Sequence, residues 1–482
     1  MNDLQATLDP RNFVNIGPHG TFKRSGELQS TPDDILALFA DLRAGGTDHL
    51  VVHFHGGLIS EGEGKNIAER MIAVYSETKA HPVCFIWETG LAEIIRNNLL
   101  DIHDTKLFKR LIVLLAKKLA KYLGVQVGAR GAGLEPDTAD VEAELAKPRP
   151  FDDLDRAQPT GAKGGALPPP AVLEQQARVE LEMELAADPE LAGMLQRRDQ
   201  GAERLRDGPA GTGARGPISL ATAAAAMARV LARSLGRWMK GHDHGFYPTL
   251  VEEVLRELYL DDFGAWVWSG MKTAAEQMWL PNGAELDADS HPGTLFLEQL
   301  AALQRERPGF VVDLVGHSAG SIAIAHLLKA NAERGIGAHI RNIMLLAPAA
   351  RSDLFHAEIT SHPERFERLR VFTMSDDYER RDMLVPHVYT RSLLYFIAGV
   401  LEPDQVDCPV SGMQRYLSAE PPYDDGMLVD ISGWLNEEGK DRLVFSVTGA
   451  DAPPGHRSES RTHGDFDDDP ATRASLCQMI DA

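Results

Sequence analysis

The stretch FVVDLVGHSAGSIAIAH, residues Phe310 to His326, decides the fold of this chain of 482 residues. It begins with an apolar, β-branched run from Phe310 to Val315, which ends abruptly at Gly316-His317-Ser318-Ala319-Gly320. Apolar residues then recur at helical spacing, at Ile322, Ile324, Ala325 and Leu328. The stretch therefore predicts a buried strand, a sharp turn and a helix in direct succession.

The turn has the pattern Gly-x-Ser-x-Gly, with Ser318 at its centre. Small flanking residues let the strand and the helix pass close to each other, so that the serine hydroxyl stands clear at the edge of the sheet. The helix behind it aims unpaired N–H groups at the place where negative charge would develop. The five-residue pattern also arises by chance, and an ordinary strand-to-helix turn is the alternative. We interpret Ser318 as a nucleophile because the flanks fit on both sides.

A second glycine turn follows an earlier apolar run. Leu50 to Phe54 predicts a strand covered on both faces, and it stops at His55-Gly56-Gly57. Acyl transfer to a serine needs N–H donors fixed around an oxyanion, and glycine lets the backbone approach without a side chain in the way. Gly56 and Gly57 are therefore candidates for an oxyanion hole, and a plain turn before the next helix is the alternative.

Further apolar runs continue the alternation of strands and helices. They lie at Pro82 to Trp87, Arg341 to Ala347, Leu369 to Met374 and Arg442 to Val447. This alternation predicts an α/β fold with a mostly parallel central sheet flanked by helices. Ligands of such sheets bind beyond the carboxyl ends of the strands, where Gly56 and Ser318 both fall.

Residues 88–309 are too many for an ordinary connection between two strands. They predict a large, mainly helical cap insertion, so we divide the chain into core residues 1–95, a cap at 96–290 and core residues 291–482. Within the cap, Lys106 to Tyr122 has leucines on one face and lysines around the other. Such a helix can make peripheral contact with an anionic membrane. We favour the alternative, in which the apolar face packs inward and the lysines are solvated.

Two later loops hold residues that could complete a serine site. The loop after the last predicted strand contains His456 and His463. We favour His463 as the general base because it lies close to the last helix and is followed by glycine. The loop from Ser375 to Pro386 should hold the acid that orients this base. Its main candidates are Asp376, Asp377 and Asp382, with Asp353 after the preceding strand as a more remote choice.

The order Ser318, a later aspartate, then His463 resembles the α/β-hydrolase superfamily, as does the early His-Gly-Gly loop, which is similar to that of lipases and esterases. The resemblance covers about residues 12–87 and 295–482. It favours Asp382 as the acid, because a proline follows four residues later as in many such hydrolases. It also implies that the N–H groups of Gly57 and Ala319 hold the oxyanion.

The resemblance implies a serine hydrolase that cleaves carboxylic esters, as esterases and lipases do, through a Ser-His-Asp triad and an acyl-enzyme. Its substrate would be a small-molecule or lipid ester, and the reaction would need no metal or cofactor. A serine peptidase would use the same triad. A catalytically inert scaffold that binds a partner or a membrane is the alternative from another class.

Composition narrows the class of protein further. An apolar content of 43% and a charged content of 25% are typical of soluble globular proteins. The net charge of −22 argues against nucleic acid as a partner. Cys84, Cys408 and Cys477 are scattered, which fits neither a disulfide framework nor a metal-binding pair. With no signal-peptide pattern and no apolar run near the ~18 residues of a membrane span, we expect a cytoplasmic protein.

Two clusters could suggest a metal site. One is His242-Asp243-His244, which is flanked by glycines and has no evident third ligand, so we interpret it as a polar loop. The other is Asp467 to Asp469, which we interpret as an acidic cap of the last helix. We therefore expect no metal at either cluster.

Overall fold

A computed structural model describes residues 8–24, 26–56, 61–87, 91–128, 134–157, 169–201, 219–259, 265–402 and 404–482. The chain forms two compact units. Unit 1 comprises Met1–Ile94, Trp266–Asp382 and Cys408–Ala482, and unit 2 comprises Ile95–Ala265 and Met383–Asp407. The first stretch of unit 2 ends before the predicted cap boundary at residue 290, and its second stretch lies within the predicted second core part.

Unit 1 is built on a parallel sheet that has seven strands in the described part of the chain. They are β1 Phe13–Ile16, β2 His49–Phe54, β3 His81–Trp87, β4 Val311–His317, β5 Ile340–Leu346, β6 Phe366–Met374 and β7 Leu443–Ser446. Their order across the sheet is β1-β3-β2-β4-β5-β6-β7, and all neighbouring strands are parallel. The predicted α/β fold with a mostly parallel sheet is confirmed.

Helices cover both faces of this sheet. On one face, Cys84 and Ile86 of β3 join an apolar core that also contains Met71 and Ile480. Phe85, between them, instead packs its ring 5.2 Å from that of Phe296, because successive side chains of a strand point to opposite faces. The α-helices of unit 1 are Pro32–Ala44, Glu61–Tyr75, Ala265–Gln277, Pro292–Glu306, Gly320–Glu333, Ser352–Phe355, Asp376–Arg381, Gly426–Leu435 and Pro470–Asp481.

The register of the central strands brings two predicted loops to one edge of the sheet. Phe54, the last residue of β2, is paired with Gly316 of β4. His317, the last residue of β4, is paired with Leu346, the last residue of β5. Because the strands are parallel, the residues that follow β2, β4 and β5 emerge at the same carboxyl edge.

Unit 2 is mainly helical in its described part. Its α-helices are Leu91–Asp104, Lys106–Leu123, Thr138–Leu145, Asp152–Ala157, Pro170–Ala187, Pro189–Gly201, Leu220–Lys240, Phe246–Val254 and Leu393–Phe396, and Leu255–Tyr259 is a π-helix. Several cations of Lys106–Leu123 are paired with carboxylates of the same unit. Lys118, which is buried, lies 2.9 Å from Glu135, and Lys121 lies 3.3 Å from Glu180. The predicted membrane contact of this helix stays a prediction.

The histidines of His242-Asp243-His244 bind carboxylates of unit 2. One ring nitrogen of His244 lies 2.8 Å from Glu252 and the other lies 2.8 Å from Asp407, which His242 also contacts at 2.8 Å. Within the described ranges, no group of three or more His, Cys, Asp and Glu side chains is arranged to hold a metal ion. None of the helices described above combines the length and the apolar character that crossing a bilayer requires.

Candidate active site

Ser318 lies in the turn directly after β4 and has a φ of +48°. This left-handed conformation is strained for a residue with a side chain, so neighbouring bonds must hold it. The N–H of Ser318 donates to the carbonyl of Leu346 at 2.8 Å. The carbonyl of Ser318 accepts from the N–H of Ala349 at 3.0 Å and from the hydroxyl of Ser321 at 2.6 Å. The end of β5 and the start of the next helix thus fix the turn.

The two glycines of the pattern are required by close packing. A Cβ on Gly316 would lie 2.7 Å from the side chain of Ile324 and 2.9 Å from the carbonyl carbon of Gly320. A Cβ on Gly320 would collide with the carbonyl oxygen of Phe54. The backbones of the strand and the helix therefore pass too close to each other for a side chain at either glycine, as the sequence pattern predicts.

His463 contacts the predicted nucleophile. Its Nε2 lies 3.0 Å from Oγ of Ser318, and both side chains are buried. His463 begins a 3₁₀ turn, His463–Asp465, after β7. The carboxylate of Asp465 accepts the N–H groups of Arg461 and Thr462 at 3.0 and 2.9 Å. These bonds fix the turn that presents the imidazole.

The ring of His463 is neutral in the resting site. Burial, and next the positive charge of His317, lower the pKa of His463 to about 3, so the imidazole is neutral at neutral pH. Within the described chain, Nδ1 of His463 has no hydrogen-bond partner. His456, the other candidate base, turns Nδ1 towards the carbonyl of Pro454 at 3.2 Å.

Asp382, the favoured acid, contacts the main chain of His463, the favoured base. Oδ2 of Asp382 accepts the backbone N–H of His463 at 2.9 Å. Asp382 follows the helix Asp376–Arg381, which replaces part of the loop predicted from the sequence. Asp377 is exposed and pairs with Arg381 at 2.5 Å.

The described contacts of the other two candidate acids are with residues other than His463. The backbone N–H of Asp376 donates to Oε1 of Gln414 at 2.8 Å. The carboxylate of Asp353 is paired with Arg351 at 2.7 Å. Asp382 is thus the candidate acid with a described hydrogen bond to His463.

The glycine loop after β2 lies next to Ser318. A Cβ on Gly56 would lie 3.6 Å from Cβ of Ser318, so the backbone of Gly56 adjoins this residue. Ala319 is buried at the start of the helix Gly320–Glu333. Gly57, the other predicted donor, lies outside the described residues.

His55 holds the peptide of Gly56. Its Nδ1 donates to the carbonyl of Gly56 at 2.6 Å, its Nε2 accepts the N–H of Trp87 at 3.2 Å, and its ring stacks on that of Trp87 at 4.4 Å. Burial lowers the pKa of His55 to about 4, in agreement with a neutral ring that donates at one nitrogen and accepts at the other.

Sequence reasoning missed a second imidazole beside the site. Of the three aspartates interpreted as a helix cap, Asp469 does cap the helix Pro470–Asp481. Asp467 instead lies 2.6 Å from Nδ1 of His317, the residue before Ser318. The sequence did offer a signal: one aspartate is enough to cap a helix, so three consecutive aspartates indicate that at least one of them has another partner.

Residues 294–379 match the model of a family described as "Alpha/beta hydrolase of unknown function (DUF900)". The matched segment includes β4, Ser318 and β5, and it ends before Asp382 and His463. No curated protein and no solved structure matches the chain. With the parallel sheet flanked by helices, this match confirms the resemblance to the α/β hydrolases that the sequence predicts.

Proposed function

We propose that the protein is a serine hydrolase that cleaves carboxylic esters through Ser318, His463 and Asp382. The observation that carries the proposal is the 3.0 Å contact between Nε2 of His463 and Oγ of Ser318. A nucleophile and a base within hydrogen-bond distance are the minimum requirement for acyl transfer through a serine. The strained turn that presents Ser318 supports the same interpretation.

In the proposed reaction, Oγ of Ser318 attacks the ester carbonyl while Nε2 of His463 takes its proton. The N–H of Ala319 and the glycine loop at residues 56–57 stabilise the oxyanion. His463 then gives the proton to the departing alkoxide, which leaves an acyl-enzyme. Water attacks this intermediate with His463 again as the base, and carboxylate is released.

Asp382 has the role of the orienting acid in this proposal. Its bond to the main-chain N–H supports the turn of His463. We propose that its negative charge also favours the imidazolium that forms when Ser318 attacks, in addition to the carboxylate of Asp467, which opposes the lowering of the pKa of His463 by burial. We choose esters over amides because an alkoxide is a better leaving group than the anion of an amine.

A chromogenic substrate panel tests the proposal. It pairs p-nitrophenyl esters of short and long acids with p-nitroanilides of the same acids, and compares wild type, Ser318→Ala and the exposed control Ser361→Ala. We expect ester hydrolysis by wild type and by the control, and a loss of roughly 10³-fold or more in Ser318→Ala. An inactive wild type, or equal activity of Ser318→Ala, would contradict the proposal. Faster cleavage of the anilides would support a peptidase instead.

A further inference from the structure

His317 links three parts of unit 1 through one imidazole ring. It is the last residue of β4 and directly precedes Ser318. Its Nδ1 lies 2.6 Å from Oδ2 of Asp467, and its Nε2 lies 3.0 Å from the carbonyl oxygen of His463. His317 and Asp467 are both buried.

These contacts fix the protonation of the ring. A carbonyl oxygen can only accept a hydrogen bond, so Nε2 of His317 must carry a proton. The carboxylate of Asp467 accepts the proton of Nδ1 in the same way. Burial opposes the charge on His317, but the carboxylate of Asp467 prevails and raises the pKa of His317 above its usual value. Burial likewise opposes the charge on Asp467, and His317 holds the pKa of that carboxyl well below its usual range.

The groups around the pair are consistent with this assignment. His53 of β2 lies 3.9 Å from Asp467, and burial lowers the pKa of His53 to about 4, so it is a neutral neighbour. From the helix Glu61–Tyr75, Arg70 pairs with Asp468 at 2.9 Å. From the helix Pro470–Asp481, Arg473 pairs with Asp468 at 2.7 Å and also donates to the carbonyl of Asp467 at 2.6 Å.

The peptide groups of His463 are held at both ends. Asp382 accepts its N–H at 2.9 Å, and His317 donates to its carbonyl at 3.0 Å. Since His317 and Ser318 are consecutive, the backbone of the base is tied directly to the backbone of the nucleophile. A displacement of β4 therefore carries both reacting groups with it.

We propose that His317, held as an imidazolium by Asp467, is a positioning residue that fixes the main chain of His463 and so directs its Nε2 at Ser318. This inference rests on the proposed function, because positioning has meaning only if Ser318 and His463 react. The positive charge of His317 has a second effect, since it is the largest influence after burial that lowers the pKa of His463.

The test combines kinetics with a direct observation of the ring. His317→Gln keeps an amide that can donate an N–H but removes the positive charge. His456→Gln, in the loop between β7 and His463, is the control. We expect His317→Gln to lower kcat for an ester about 10- to 100-fold with little change in KM. We also expect the acid limb of its kcat/KM profile to move to higher pH, because the pKa of His463 rises when the neighbouring cation is removed. His456→Gln should retain the wild-type profile.

The ring is observed in the wild type by nitrogen NMR with ¹⁵N-labelled histidine, assigned by the loss of the His317 signals in His317→Gln. We expect both nitrogens of His317 to be protonated at pH 7. A neutral ring in an active enzyme would overturn the inference and leave the proposed function intact, as would an unchanged acid limb in a folded His317→Gln. An imidazolium in an inactive wild type would overturn the proposed function instead, and the catalytic role of His317 with it.

Discussion

The carboxylate of Asp382 accepts a hydrogen bond of 2.9 Å from the main-chain N–H of His463. The acid therefore supports the backbone of the residue that we propose as the base, while Nδ1 of its ring has no partner in the described chain. This arrangement separates two ways in which Asp382 could act. One is through the bond to the main chain, and the other is through its negative charge.

Substitution of Asp382 distinguishes these two contributions. Asparagine keeps an oxygen that can accept the N–H but removes the charge, whereas alanine removes both. We expect Asp382→Asn to lower kcat for ester hydrolysis by about 10²-fold or more, because the imidazolium formed in the reaction loses its counter-charge. Asp377→Asn, at an exposed carboxylate on the short helix that precedes Asp382, should retain wild-type activity. Full activity of Asp382→Asn beside an inactive Asp382→Ala would restrict Asp382 to support of the main chain.

Gly320→Ala should destabilise unit 1. The new Cβ would collide with the carbonyl oxygen of Phe54, which is backbone and cannot rotate away. We expect a loss of about 1–3 kcal/mol in the free energy of unfolding, the usual cost of overpacking. Gly433→Ala is the matched control, since it lies inside the helix Gly426–Leu435 with nothing within 4 Å of the new Cβ. The control should gain about 0.5–1 kcal/mol. Equal urea midpoints for the two variants would contradict the packing described for the turn.

The stability of the protein should fall as the pH is lowered from about 6.5. Burial is the main reason why the pKa values of His53 and His55 are lowered to about 4 and that of His463 to about 3. Below pH 6.5 the unfolded chain binds protons at these residues while the folded chain does not. Each such histidine therefore costs up to about 1.4 kcal/mol per pH unit, until the pH reaches its folded pKa. His317 adds little in this window, because its raised pKa keeps it protonated in the folded chain and the unfolded chain binds a proton there as well.

Urea unfolding at pH 6.5, 5.75 and 5.0 measures this dependence. His53→Gln should reduce the slope of stability against pH by the contribution of one histidine, because glutamine does not bind a proton in this range. A wild-type midpoint that is constant over this range would be incompatible with three buried neutral histidines.

Much of the fold could be predicted because its signals are local. The run from Phe310 to Val315 predicts β4, and the glycine pattern that follows predicts the sharp turn at Ser318. Parallel strands bring the ends of successive runs to one edge, so the loop with Gly56 could be predicted to lie near Ser318. The proximity of His463 followed from its place after the last strand.

The remaining features depend on contacts between distant residues. Nothing near Asp467 in the sequence indicates that His317 is its partner, because acidic segments before a helix ordinarily cap it. Similarly, Met383–Asp407 belongs to unit 2 through pairs such as Arg391 and Asp155, which are buried and 2.8 Å apart. Patterns of hydrophobicity carry no information on such pairings.

The bond between Asp382 and the main chain of His463 was unexpected for a different reason. The segment between β6 and Asp382 contains the short helix Asp376–Arg381, and this helix determines where the chain places Asp382. Sequence reasoning could favour Asp382 as the candidate acid but could not predict that its carboxylate would accept the main-chain N–H of His463.

The most direct test of the central claim is labelling with a fluorophosphonate, which forms a covalent bond only with an activated serine. The reaction is followed by intact mass, and the modified peptide is identified in wild type, Ser318→Ala and His463→Ala. The account predicts one adduct per wild-type chain, on the peptide that contains Ser318, none in Ser318→Ala, and much slower labelling in His463→Ala. An unlabelled, folded wild type, or an adduct that persists in Ser318→Ala, would contradict it.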